Sequence, residues 1–251
     1  MDLKGTTALV TGGSGDIGGT IARSLAAAGA EVAVGYVGHV EGARATVEAI
    51  EAIGRRSLAV QLDQREPASI ENAVRAVLGH FSRLDILVNN AAWNIGIRFP
   101  DLDALTPEIW DRVHETNLRG PYLLARACAS HLRANQAGRI VNIASVAGVS
   151  PVGSSVAYAA SKAGLIHLSR CLAVALAPDI TVNCIAPGLV EGTRMAQRLP
   201  EEMARSARRH AVLGRTASAA DIAAQTVAFC QAESITGQVL VIDGGAPSNM
   251  H

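Results

Sequence analysis

The chain has 251 residues, and 22 Lys plus Arg balance 22 Asp plus Glu, for a formal net charge of +0. Without a cationic surplus there is no charge-driven case for nucleic-acid binding, and 2 Trp, 3 Tyr and 3 Phe make a poor base-stacking platform. Apolar residues make up 49%, which excludes a disordered chain, and the longest apolar stretch, Ala163 to Ala177, is interrupted by His167 and Arg170 and is too short to span a bilayer.

In chain order, the first predicted strand is Thr6 to Thr11, ended by Gly12-Gly13. Apolar residues at Ile17, Ile21, Leu25 and Ala28 follow at helical spacing, with Gly29 in the usual stop position. Glu31 to Tyr36 reads as a strand and Gly42 to Ile53 as a helix closed by Gly54. Ser57 to Leu62 is a strand, and Pro67 to Phe81 a helix with proline in its first turn. Leu84 to Val88 is a buried-type strand, followed by helices over Thr106 to Asn117 and Pro121 to Ala134. Then come a strand at Arg139 to Ile143, a long helix over Ser155 to Leu176, a strand at Ile180 to Ile185, a helix at Ala219 to Phe229 and a last strand at Val239 to Ile242. Alternating strands and helices, with strands apolar throughout, predict a doubly wound parallel α/β sheet of the Rossmann type, about seven strands with helices on both faces. No repeat or linker divides it, so residues 1–251 are expected to form one domain. The long irregular stretch over 188–217 is expected to be a substrate lid. It carries Arg194, Arg198, Arg205, Arg208, Arg209 and Arg215.

Thr11-Gly12-Gly13-Ser14-Gly15-Asp16-Ile17-Gly18 lies between the first strand and the first helix. Glycines let the backbone turn tightly against a diphosphate, and the helix start beyond offers free N–H groups. In NAD-binding proteins an acid about 20 residues further on bonds the ribose 2′-hydroxyl. Here the tip of the second strand reads Gly35-Tyr36-Val37-Gly38-His39, and the first acid is Glu41. His39 and Arg44 are placed to face a 2′-phosphate, which favours NADP(H) over NAD(H); both residues also suit an ordinary solvated helix start.

Tyr158 and Lys162 are four positions apart, so they share one helix face. A neighbouring ammonium favours the phenolate, and such a tyrosine can exchange a proton with an alcohol oxygen. Ser145 follows a strand and stands at its carboxyl end, placed to hold a substrate carbonyl. Asn117, if buried, needs partners, and an ordered water near Lys162 would supply them. Trp93 is a candidate substrate contact. Cys128, Cys171, Cys184 and Cys230 lack metal-ligand spacing and read as reduced core residues of a cytoplasmic protein, with no metal expected. The start, Met1-Asp2-Leu3-Lys4-Gly5, has no signal-peptide layout.

With these residues in this order, the sequence resembles the short-chain dehydrogenase/reductase family over essentially its whole length, including 3-oxoacyl-carrier-protein reductases and related carbonyl reductases. The matching motifs are Thr11-Gly12 to Gly18, Asp63, Asn89-Asn90-Ala91, Asn117, Ser145, Tyr158 with Lys162, Pro187-Gly188 with Thr193, and Asp243-Gly244-Gly245. The resemblance implies an NAD(P)-dependent oxidoreductase interconverting a carbonyl and a secondary alcohol. Tyr158 would be the general acid/base, Lys162 would lower its pKa and bond the nicotinamide ribose, Ser145 would orient the substrate, and Asn117 would anchor a relay water. Gly12, Ser14, Asp16, Ile17 and Gly18 would surround the diphosphate, Tyr36 and His39 the adenosine ribose, Asp63 the adenine amino group, Asn90 the ribose side, and Pro187, Gly188 and Thr193 the carboxamide end. The family also implies a homotetramer with a small-molecule substrate and neither nucleic acid nor membrane as partner.

Four positions depart from the family pattern. Asp16 replaces the middle glycine of the diphosphate loop; a carboxylate is repulsive there, and it is expected to cap the helix with its oxygens turned away. Gly15 stands where NADP-using relatives often carry a basic residue, Ala92 ends the Asn-Asn-Ala run, and Ala144 precedes Ser145 in place of a frequent serine. Two other classes compete with the enzyme: a nucleotide sensor without turnover, which has no need of the proton-relay set, and a methyltransferase on a similar sheet, which leaves Tyr158 and Lys162 unexplained.

Overall fold

Seven short apolar runs become strands: β1 (Thr7–Val10), β2 (Glu31–Tyr36), β3 (Ser57–Gln61), β4 (Ile86–Asn89), β5 (Gly138–Ile143), β6 (Ile180–Pro187) and β7 (Val239–Ile242). They come from a computed structural model that describes residues 1–134, 137–198 and 200–249, with the side chain of Arg198 outside the described set. The strands form one sheet in the order β3-β2-β1-β4-β5-β6-β7, and every neighbouring pair is parallel. The expected seven-stranded Rossmann-type sheet is therefore present. The chain winds outward from β1 to β3 and then restarts at β4 on the other side of β1. That reversal opens a crevice at the carboxyl ends of β1 and β4, where ligands of such sheets bind.

The helices are α1 (Asp16–Ala27), α2 (Val40–Glu51), α3 (Pro67–Phe81), α4 (Pro107–His114), α5 (Gly120–Ala134), α6 (Val156–Ala175), α7 (Glu201–His210) and α8 (Ala219–Gln231). Side chains alternate across a strand, and here both faces are dry. Ala8 and Val10 of β1 pack with Ile21 and Leu25 of α1, Ile50 of α2 and Ile222 of α8. Leu9, between them, packs on the other face with Ile70 and Val77 of α3 and Leu124 of α5. Covering both faces is why the strands read as unbroken apolar runs.

Most element ends match the sequence expectation within two residues. The exception is the predicted helix over Thr106 to Asn117. Helix α4, capped by the Thr106 side chain, ends at His114, and a π-helical turn over Glu115–Arg119 leads straight into α5. Pro121 lacks an N–H, so the carbonyl of Asn117 four residues earlier has no α-helical donor. A widened turn absorbs that break. Within 188–217, the acidic start and basic end of α7 complement its dipole. Among the described residues no helix is long and apolar enough to cross a membrane.

Candidate active site

The crevice between β1 and β4 is walled by backbone. Gly12 has φ +63, and a Cβ there would lie 3.0 Å from the Ala91 backbone. A Cβ on Gly18 would collide with the Gly12 carbonyl, and one on Gly13 would lie 2.8 Å from Val34. The turn is also tied down from behind. Thr11 Oγ1 accepts from the N–H groups of Asn90 and Ala91 at 3.0 and 2.9 Å. Asn90 Nδ2 donates to Thr11 O at 2.9 Å, and Thr46 Oγ1 donates to Gly13 O at 3.0 Å. With carbonyls held inward, the first-turn amides of α1 are left for an anion. A cradle that admits no Cβ, at the switch point and at a helix start, fits a dinucleotide diphosphate.

The other cofactor candidates follow the carboxyl ends of β1, β2, β3 and β6, with partners the sequence did not indicate. Asp16 is a correction. It does not cap α1: the cap is Gly15, without a side-chain hydrogen bond, and Asp16 is the first residue inside the helix. From there its carboxylate turns away to accept the Arg194 backbone N–H at 2.8 Å. His39 Nδ1 lies 2.9 Å from the Ser14 carbonyl, so that nitrogen carries its proton inward rather than toward a 2′-phosphate. Tyr36 ends β2 and packs against the first core face. Asp63, just past β3, is gripped by Arg65, whose Nη2 lies 2.7 Å and Nε 3.1 Å from its oxygens. That guanidinium holds the Asp63 carboxyl below the usual carboxylate range. Pro187 ends β6, and Gly188 packs so close to Asp243 that a Cβ would lie 2.7 Å from it. Thr193 is buried, with its Oγ1 donating to Val190 O at 2.8 Å.

The four catalytic candidates converge on the carboxyl end of β5. Ser145 caps a short 3₁₀ turn over Val146–Gly148, its Oγ accepting from Ala147 N at 3.1 Å. Ser155 caps α6 by accepting from Tyr158 N at 3.1 Å, which sets Tyr158 in the first turn of that helix. Burial pushes the Tyr158 phenol up, and the neighbouring Ser145 hydroxyl counters in the opposite direction. The expected net lowering of the Tyr158 pKa is corrected, because burial outweighs it. Lys162 Nζ lies 5.7 Å from the Tyr158 ring centroid and donates to Ile143 O at 2.8 Å. Burial lowers the lysine from 10.5 to about 8. Its backbone meets the Ser145 turn directly, since a Cβ on Gly148 would lie 2.6 Å from the Lys162 carbonyl carbon.

Asn117 sits in the π-helical turn, 1% exposed. The expectation that water would satisfy its side chain is corrected: protein groups do so. Its Oδ1 accepts from Trp93 N at 2.8 Å, and Nδ2 donates to Trp93 O at 2.9 Å and Ser161 Oγ at 3.2 Å. Ser161 in turn donates to Tyr158 O at 2.7 Å. Trp93 is thus bolted to Asn117 through its backbone, while Arg112 stacks 4.2 Å from its ring centroid. Gln64, which the sequence did not single out, joins the two halves of the site. Its Nε2 donates to Ala91 O at 3.1 Å and to Thr116 O at 2.6 Å. His167 and His210 are exposed. Cys128, Cys184 and Cys230 are buried free thiols, and burial pushes Cys128 up to about 12; Cys171 is a correction, since it lies exposed on α6 and not in the core. Among the described residues no cluster of His, Cys, Asp or Glu is arranged to hold a metal ion.

A family model described as enoyl-(acyl carrier protein) reductase matches residues 13–247. The 3-oxoacyl-[acyl-carrier-protein] reductase FabG of Escherichia coli is 38% identical over 252 residues, covering 98% of each chain. A short-chain dehydrogenase from Burkholderia cenocepacia, solved in complex with NADP, superposes with TM-score 0.88 at 40% identity, over 98% of this chain and 100% of that one. NAD+-bound xylitol dehydrogenase superposes with TM-score 0.91 at 26% identity, over 98% and 100%. The chain belongs to the short-chain dehydrogenase/reductase family, and it is an oxidoreductase that uses a nicotinamide cofactor.

Proposed function

We propose that this oxidoreductase interconverts a ketone and a secondary alcohol with NADP(H), using Tyr158 as general acid/base. The observation that carries the reading is the meeting of Ser145, in the turn after β5, with Tyr158 in the first turn of α6, and the Lys162 ammonium buried 5.7 Å from the tyrosine ring centroid. The bound cofactor supplies or takes the hydride. In the reducing direction Ser145 holds the substrate oxygen and Tyr158 gives it a proton; in the oxidising direction Tyr158 takes the proton back. Lys162 offsets the charge left on the phenolate, with the Ile143 carbonyl fixing its position. The Asn117 carbonyl, without an α-helical donor because of Pro121, is the anchor for a relay water.

Around the cofactor, the backbone cradle of Gly12 and Gly18 takes the diphosphate. Asp63 and Asn90 address the adenosine half, and Pro187, Gly188 and Thr193 address the carboxamide. No acid stands at the tip of β2 to repel a 2′-phosphate, and exposed Arg44 lies in the first turns of α2, which supports NADP(H). Relatives named for a 3-oxoacyl thioester and for xylitol share only the carbonyl–alcohol chemistry, so the substrate class stops at ketone and secondary alcohol. Residues 188–217 act as a lid over it, within one domain of residues 1–251; Leu199 of the lid, Met250 and His251 lie outside the described residues.

The half-exposed edge strand β7 and exposed Val174 of α6 support self-association, with a tetramer as the expected form. The buried reduced thiols support a cytoplasmic setting. The test is hydride transfer from NADPH and NADH across a panel of ketones, alcohols and enoyl thioesters, with Tyr158→Phe as control. Ketone reduction that falls by about 10²–10⁴ in the folded variant supports the mechanism. Undiminished turnover, or reduction confined to the enoyl compounds, overturns it. Light scattering on the same protein reads the assembly, and a monomer would remove the tetramer.

A further inference from the structure

The diphosphate turn and the segment after β6 meet at a single ion pair. Arg194 donates its backbone N–H to Asp16 Oδ2 at 2.8 Å, and its Nε lies 3.6 Å from the same oxygen. A Cβ on Gly15 would lie 3.7 Å from Arg194 Nη2, so the guanidinium reaches over the turn itself. The neighbouring residues hold the segment in this posture. Thr193 Oγ1 donates to Val190 O at 2.8 Å and accepts from Ala196 N at 3.2 Å, and Asn94 Nδ2 lies 3.6 Å from Met195 Sδ across the cleft.

The pair is too open to be there for stability. The side chains of Arg194 and Asp16 are 52% and 41% exposed, and exposed ion pairs contribute little. Its geometry has another consequence. Asp16 uses one oxygen to hold Arg194 by its backbone and Nε, and among the described residues neither Nη has a protein acceptor. The open end of the fork is left beside Gly15, where the diphosphate turn presents its amides. A carboxylate at this position would repel a diphosphate, whereas a carboxylate already paired with arginine leaves the site locally neutral and adds donors of a geometry that matches phosphate oxygens.

We infer that Arg194 is a cofactor-binding residue, contributed by the lid to the dinucleotide diphosphate, and that Asp16 is the positioning residue that aims it. The aspartate in the glycine turn and the arginine after Thr193 are two halves of one device. Because Arg194 belongs to the lid, the diphosphate and the lid stabilise each other's placement, and coupling of this kind is reciprocal. This rests on the dinucleotide reading of the turn.

The experiment measures Kd for NADPH and for ADP-ribose, which lacks the nicotinamide, by calorimetry. Hydrogen exchange of residues 188–198 is followed with and without ADP-ribose. The proteins are wild type, Arg194→Gln, Asp16→Asn and Asp16→Asn/Arg194→Gln, each checked for an unchanged circular dichroism spectrum. Arg194→Gln is expected to weaken ADP-ribose about tenfold, the size of one charge-assisted hydrogen bond, and to abolish its protection of the lid. The double variant is expected to bind more tightly than Arg194→Gln, because the unpaired carboxylate is gone. An unchanged Kd for ADP-ribose in Arg194→Gln overturns the inference and leaves the dinucleotide reading intact. Asp16→Asn is expected to weaken ADP-ribose and to loosen residues 188–198 because the arginine is no longer aimed; wild-type affinity and protection in Asp16→Asn, or a double variant weaker than Arg194→Gln, overturns the role of Asp16. Wild-type protein that binds neither NADPH, NADH nor ADP-ribose overturns the dinucleotide reading and the inference with it.

Discussion

The Lys162 ammonium stands 5.7 Å from the centroid of the Tyr158 ring and gives its hydrogen bond to the Ile143 carbonyl instead of to the phenol. The two residues share a helix face, as a spacing of four requires, yet the ammonium faces the tyrosine ring and bonds a backbone carbonyl. Burial weighs on both groups in opposite directions, lowering the lysine to about 8 and raising the tyrosine.

That burial gives a pH signature. Folded Lys162 titrates near 8 and the unfolded lysine near 10.5, so between those values the unfolded chain holds the extra proton and stability rises with pH. Below about 8 the full penalty of a buried ammonium is present. The urea midpoint of wild type relative to Lys162→Met is expected to climb as pH is raised from about 8 towards 10. Tyr158, raised above its ordinary 10, acts with the opposite sign only at higher pH. A flat difference across that window would show that Lys162 is not held in a dehydrated site.

Ser145 has two roles to lose. Ser145→Ala removes the hydroxyl that pulls the Tyr158 phenol down and uncaps the turn at Ala147. Loss of the cap costs about 1 kcal/mol, a small drop in melting temperature. The expected catalytic loss is larger, about 10²-fold or more in kcat, with the Kd for NADPH unchanged because Ser145 does not touch the glycine cradle. Stopped-flow hydride transfer beside a thermal melt separates the two.

Gly18→Ala tests the cradle. The new Cβ would collide with the Gly12 carbonyl and press on Asn90 Nδ2, so the turn must open. Overpacking of this kind costs about 1–3 kcal/mol, and cofactor affinity is expected to fall by at least tenfold while far-ultraviolet circular dichroism stays native. Calorimetric titration with NADPH reads the outcome; wild-type affinity would mean that the turn is not the binding surface.

Asn117→Ala strips both backbone bonds from Trp93 and the one to Ser161. A buried N–H left without an acceptor costs about 1–3 kcal/mol, so the variant is expected to lose that much stability as well as turnover. Asn117→Asp keeps the acceptor for Trp93 N but not the donors, and is expected to fall between. Equal stabilities for all three proteins in urea would contradict the bolting of Trp93 to Asn117.

The alternation of strands and helices was readable because a sheet covered on both faces demands unbroken apolar runs, and because helix stops such as Gly29 and Gly54 act locally. Gly29 (φ +113) and Gly54 (φ +76) take the left-handed backbone that a helix-ending glycine permits. Tyr158 with Lys162, and the glycines after β1, were equally legible, since i,i+4 spacing and a strand-to-helix turn are properties of neighbouring residues. The widened turn at Asn117 had a local sign in Pro121, but one proline does not say whether a helix breaks or bulges; contact with Trp93 and Ser161 decided it. Asp16 shows where local reading stops. As a free helix start its carboxylate belongs on the cap; what redirects it is Arg194, 178 residues further along the chain. The sequence determined by itself the fold class, because periodicity and short spacings are local, and it named the candidate site residues through their resemblance to a family's motifs in order. Only the tertiary structure decided which charge faces which, because ion pairs and buried hydrogen bonds depend on distance through space, and the winding of the sheet brings residues remote in sequence to the same strand ends.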